Sequence, residues 1–94
     1  MRYWMICYDI SDNTRRREIA ENLADAGASR VQESVFEGYF LQREMVGLMA
    51  QLSRMLDGAA GDNLRAYPLS PASQARLTLG AMPAKPELTG YWLC

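Results

Sequence analysis

YWMICYDISDNTRRR, residues 3–17, decides the fold. Tyr3–Asp9 is rich in aromatic and β-favouring residues and reads as a strand. Alternation puts Tyr3, Met5, Cys7 and Asp9 on one face and Trp4, Ile6 and Tyr8 on the other. Both faces stay apolar until Asp9, the pattern of a central strand. Ser11, Asp12 and Asn13 supply turn and N-cap chemistry. A helix over about 14–26 follows, with Ile19, Leu23 and Ala26 on its inner stripe beside Ala20 and Ala24, and Gly27 as its stop. That helix opens on Arg15, Arg16 and Arg17, although a helix N-terminus already carries partial positive charge and favours anions. Cations placed there against the dipole, next to a carboxylate closing a strand, point to phosphate and metal chemistry.

Working outward, residues 30–41 form a second extended segment, with Val31, Val35 and Tyr39 opposed to Phe36 and Phe40. Its length exceeds the usual ~5–6 residues of a strand, so a bend near Glu37 and Gly38 or a division into two strands is expected. Met45, Leu48, Met49, Leu52, Met55 and Leu56 recur at helical spacing, ending at Gly58. Ala59–Asp62 reads as a small flexible loop and Asn63–Leu69 as a strand closed by Pro68. A short helical turn at Ser70-Pro71, a strand over Leu77–Gly80 and a closing apolar segment over Tyr91–Leu93 complete the chain. Helices with one apolar stripe each would cover one face of a mainly antiparallel sheet, an α+β sandwich. The opposite face needs a cover, since exposed Trp4 or Tyr8 would leave a large apolar patch. A second copy of the chain is the simplest one, which predicts a homodimer.

Composition narrows the chemistry. Ninety-four residues with 49% hydrophobic content make one small domain. No apolar run approaches the ~20 residues of a membrane helix, and the N-terminus reads as a strand rather than a signal peptide, so a cytoplasmic protein is expected. There are no histidines, which excludes Ser-His-Asp and Cys-His sites within the chain and any His-ligated zinc. Cys7 and Cys94 form no CxxC pair, and Cys7 reads as a small core residue. The net charge of −1 gives no strong overall field toward nucleic acid. Lys85 is the only lysine among ten basic residues. Arginine suits bidentate phosphate contacts, yet a GC-rich genome would give the same bias.

Asp9 has a plain structural reading, since aspartates commonly cap turns. Ser11, Asp12 and Asn13 already provide that service. A single carboxylate makes a poor Mg2+ site, but a two-fold axis near Asp9 would bring two copies together around one ion. For Arg15, Arg16 and Arg17 the plain reading is a solvated face, with Arg17 placed four residues before Glu21. Successive helix residues point about 100° apart, so the three cannot all face one partner. Arg30 would extend the basic patch if the elements return side by side.

YDISDNTRRR (8–17), RVQESVFEG (30–38) and LRAYPLS (64–70) together resemble the CRISPR-associated Cas-two family, in the same order over nearly the whole chain. The resemblance implies a ferredoxin-like domain over residues 1–80 and a tail over 81–94 holding a strand exchanged in a homodimer. It implies a role in spacer acquisition, bound to the Cas integrase and to duplex DNA or RNA, with a metal-dependent endonuclease activity that varies among members. The family's metal-associated aspartate falls on Asp9, preceded by Tyr8, and its helix-start arginine on Arg16, flanked by Arg15 and Arg17. Arg30 and Phe36 match its second motif. Tyr8, Asp9, Arg16 and Phe36 are thus the implied catalytic set, with Arg15, Arg16, Arg17 and Arg30 on nucleic acid and Mg2+ on Asp9. Many relatives carry cysteines after the third motif where this chain has Ser70 and Ser73, so no metal or redox role is expected there. The runner-up functions are a toxin-type mRNA-cleaving ribonuclease of the virulence-associated group and a non-enzymatic ferredoxin-like regulatory dimer.

Overall fold

A computed structural model describes residues 1–70. The elements run β1 (Arg2–Asp9), α1 (Asn13–Asp25), β2 (Ser29–Gln32), β3 (Val35–Phe40), α2 (Gln42–Ser53), a 3-10 turn (Gly58–Ala60) and β4 (Asn63–Leu69). They form one antiparallel sheet in the order β2-β3-β1-β4. With two helices in a β-α-β-β-α-β order, this is the expected α+β, ferredoxin-like sandwich. The helical turn at Ser70-Pro71, the strand over Leu77–Gly80, the closing segment and the proposed tail over 81–94 lie outside the described residues.

β1 is the central strand its two apolar faces required. Trp4, Ile6 and Tyr8 lie under the helices with Ile19, Leu23, Phe36 and Leu52, all at most 6% exposed. Burying side chains of this size contributes ~1.5–3 kcal/mol each. The patch feared from Trp4 and Tyr8 does not arise, because both point into this core. Met5, Cys7 and Val35 are buried on the other face. Tyr39 and Tyr67, exposed by 59% and 39%, flank them. Pro68 sits in β4, the edge strand among the described residues, where a missing N–H is tolerated.

α1 starts one residue earlier than the sequence predicts, because Asp12 is the cap: its carboxylate accepts from the Arg15 amide at 2.8 Å. The helix ends in a Schellman motif, with the Ala28 amide on the Leu23 carbonyl and the Gly27 amide on that of Ala24. Gly27 takes the left-handed conformation this needs, at φ 103°. Ala24 and Ala26 are exposed, so the inner stripe is Ile19, Ala20 and Leu23.

Two corrections concern boundaries. Residues 30–41 are two strands, and the break falls at Glu33–Ser34, preceded by a bulge between Arg30 and Gln32. Gly38 lies within β3 for another reason: a Cβ there would stand 3.1 Å from the Phe40 ring and 3.2 Å from the Ala28 backbone. The second helix ends at Ser53, before Gly58. Met55 and Leu56 keep their packing on the core from turns beyond it.

Candidate nucleic-acid interface

The three consecutive arginines have three different fates. Arg15 reaches the loop before β4, its Nε 2.8 Å from Asp62 Oδ2 and its Nη2 3.4 Å from Oδ1. Asp62 also accepts from the Asp57 amide at 2.9 Å. The Arg15 guanidinium, then that amide, hold the Asp62 carboxyl below its ordinary value. Arg16 folds back over the turn and donates to the carbonyls of Ile10 (2.9 Å) and Ser11 (3.4 Å) and to the Asn13 side chain. Arg17 is exposed and has no carboxylate partner among the described residues. The Arg15 fork is therefore already filled, which leaves Arg16 and Arg17 as the run's candidates for the expected phosphate patch.

Arg30 and Phe36 face each other across β2 and β3. The Arg30 guanidinium lies 5.3 Å from the centre of the Phe36 ring. The Tyr8 ring lies 6.3 Å from that of Phe36. The Tyr8 hydroxyl donates to the Glu33 carbonyl at 3.2 Å. Burial pushes the Tyr8 phenol above its ordinary value despite the pull of Arg30. It stays protonated at neutral pH, a donor and spacer rather than a base.

These side chains border two openings. A cavity of about 270 Å3 at the end of β1 is lined by Tyr8, Asp9, Arg16 and Glu33 among others. A larger one of about 780 Å3 runs between α1 and β2, with Arg17, Arg30 and Phe36 on its walls. Arg16 and Glu33 belong to both.

Asp9 is the odd member. It closes β1 opposite Asn63 of β4, is exposed, and alternation turns it away from the face that holds Tyr8. The strand leading to it is buried; Asp9 itself is not. Among the described residues no three acidic or thiol side chains gather as metal ligands. Asp9 thus offers a divalent cation one carboxylate, half of what a bridging site between two chains would use.

Sequence reasoning missed Glu33, Glu37 and Asp62. Asp62 sits in a segment read as flexible, which the 3-10 turn and the Arg15 pair in fact order. Glu37 is buried and accepts from the Tyr3 hydroxyl at 2.9 Å; its inward alternation with Val35 was the available signal.

The family model for CRISPR associated protein Cas2 matches residues 1–77. The chain belongs to this family. It is 34% identical to the CRISPR-associated endoribonuclease Cas2 2 of Synechocystis, covering 88% of each chain. With the CRISPR-associated endonuclease Cas2 2 of Thermus thermophilus it shares 38%, over 93% of each. The crystal structure of Streptococcus pyogenes Cas2 superposes with a TM-score of 0.72 at 30% identity, covering 83% of this chain and 99% of that one. A chain of a partial Cas6-RT-Cas1–Cas2 complex gives 0.64 at 25%, covering 78% and 83%. The resemblance carried by the three sequence motifs is thereby borne out at the level of family and fold. Among the described residues, no helix is long and apolar enough to cross a membrane.

Proposed function

We propose that this chain acts in CRISPR adaptation as a homodimer that scaffolds duplex DNA for the Cas integrase. Family membership, together with the likeness to a chain from a complex named for Cas1 and Cas2, carries the reading. Arg17 and Arg30 support it, two cations without a carboxylate partner among the described residues at the mouth of one groove. The exposed Tyr39 and Tyr67 on the face away from the helices suit a dimer contact. Asp9 would form half of a metal-dependent phosphodiesterase site, its partner being Asp9 of the second copy. Mg2+ held there would polarise a phosphate oxygen, while Arg16 holds the turn behind it. Phe36 braces Arg30 and Tyr8 packs beside Phe36, and so they shape the site's wall.

Spacer acquisition in cells carrying wild type, Asp9→Asn or the Arg17→Ala/Arg30→Ala pair tests the reading. The arginine pair should lose acquisition. Retention of full acquisition by that pair would sink the scaffold. Full acquisition by Asp9→Asn would separate DNA handling from cleavage. RNA as a cleaved substrate is favoured by the endoribonuclease name of the Synechocystis relative. Magnesium-dependent RNA cleavage by wild type that Asp9→Asn abolishes would establish it.

A further inference from the structure

The larger groove has features that backbone scaffolding does not use. Duplex phosphates need surface cations; they do not need an apolar recess. This recess is about 780 Å3, within the ~300–1,000 Å3 of small-ligand sites. On one side α1 presents Ala20 and Ala24, one turn apart, and Ala28 continues the wall. Among the described residues the space between them and β2 is lined by Arg30, Glu33 and Phe36. On the other side stands Arg30, braced by the Phe36 ring, whose centre is 5.3 Å from its guanidinium. A planar cation already held in place loses little freedom when a flat ligand covers it. Phe36, 3% exposed, supports Arg30 and is not itself available for stacking.

We infer that the α1–β2 groove binds one unstacked nucleotide, its base between the Arg30 guanidinium and the alanine wall and its phosphate on Arg17. Stacking of bases on guanidinium planes is a common mode for unpaired nucleotides. Glu21 and Glu33 at the rim offer acceptors for a base amino group or ribose hydroxyls. Because Arg16 and Glu33 also border the Asp9 cavity, a strand entering the groove would bring its neighbouring phosphate toward Asp9. The inference deepens the nucleic-acid reading above, and its test separates the two.

Calorimetric titration of the full-length protein with AMP, ribose 5-phosphate and adenosine reads the base and the phosphate separately. AMP should bind at least about fivefold more tightly than ribose 5-phosphate, the factor expected of one base stack. Arg30→Lys keeps the charge but not the plane, and should bring AMP down to the ribose 5-phosphate level. Ala24→Phe, at an exposed helix position, should block AMP by filling the recess. Equal binding of AMP and ribose 5-phosphate, or AMP binding unchanged by both variants, overturns the inference. Duplex DNA with one unpaired 3′ nucleotide should bind more tightly than the blunt duplex; equal duplexes with AMP binding retained make a free nucleotide the ligand. AMP binding without any duplex binding would keep the groove and discard the scaffold.

Discussion

The two sides of the last turn of β1 differ in how complete they are. On the helix side Tyr8 is buried, and its neighbours Arg16, Arg30 and Phe36 are tied to one another or to backbone carbonyls. One residue further on, Asp9 stands exposed, and among the described residues no three acidic or thiol side chains gather as metal ligands. One chain builds a finished basic wall and, toward the proposed metal site, contributes the single carboxylate of Asp9. The wall should therefore respond to mutation through folding and affinity, and the carboxylate through activity alone.

The largest stability effect belongs to Tyr8. Tyr8→Ala removes a fully buried ring and should cost roughly 3–5 kcal/mol in chemical denaturation. Tyr8→Phe loses only the bond to Glu33 and should cost about 1 kcal/mol. If Tyr8→Phe were silent in stability yet abolished cleavage, Tyr8 would have a chemical role that its raised pKa does not favour. Arg16→Ala releases the turn between β1 and α1 and should cost on the order of 1.5–3 kcal/mol, as expected for charged hydrogen bonds. Arg17→Ala, one position along, should stay within about 0.5 kcal/mol. Its effect should appear instead as a drop of about one in the salt slope of DNA binding. Equal slopes for Arg17→Ala and wild type would remove Arg17 from the interface.

The Arg15–Asp62 pair gives a pH-dependent contrast with both. The Asp62 carboxyl titrates below its ordinary 3.8 in the fold. Its contribution is therefore complete above that pH and is lost as pH falls through the folded value. Acid unfolding of Asp62→Asn should show a shallower loss of stability below about pH 4 than wild type. An unchanged acid limb would mean that the pair is too well solvated to matter.

What could be read in advance follows from how local the cause is. The two apolar faces of residues 3–8 fixed β1 at the centre of the sheet, because burial on both sides is written in the alternation itself. Gly27 as stop was equally local, and the cap was legible as one of Ser11, Asp12 and Asn13, of which the structure selects Asp12. The break at Glu33–Ser34 was misplaced because Gly38 looked like a bend, whereas its cause is the approach of Ala28 and Phe40 across the fold. The same limit applied to the arginines. Their run was visible, but Asp62, many residues downstream, decides that Arg15 is spent. Side-chain pairing between elements has no signature within either one.

Asp9→Asn should be the quietest substitution for folding, within about 0.5 kcal/mol of wild type at this exposed position. Its weight lies in whether two chains share one ion. Co-refolding equal amounts of wild type and Asp9→Asn gives about half mixed dimers and about a quarter wild-type dimers. If both carboxylates are needed, magnesium-dependent cleavage falls to about a quarter of the wild-type value. If each chain acts through its own Asp9, it falls only to about half. The second outcome would place the missing ligands elsewhere in the chain and end the idea of a site completed across the two-fold axis.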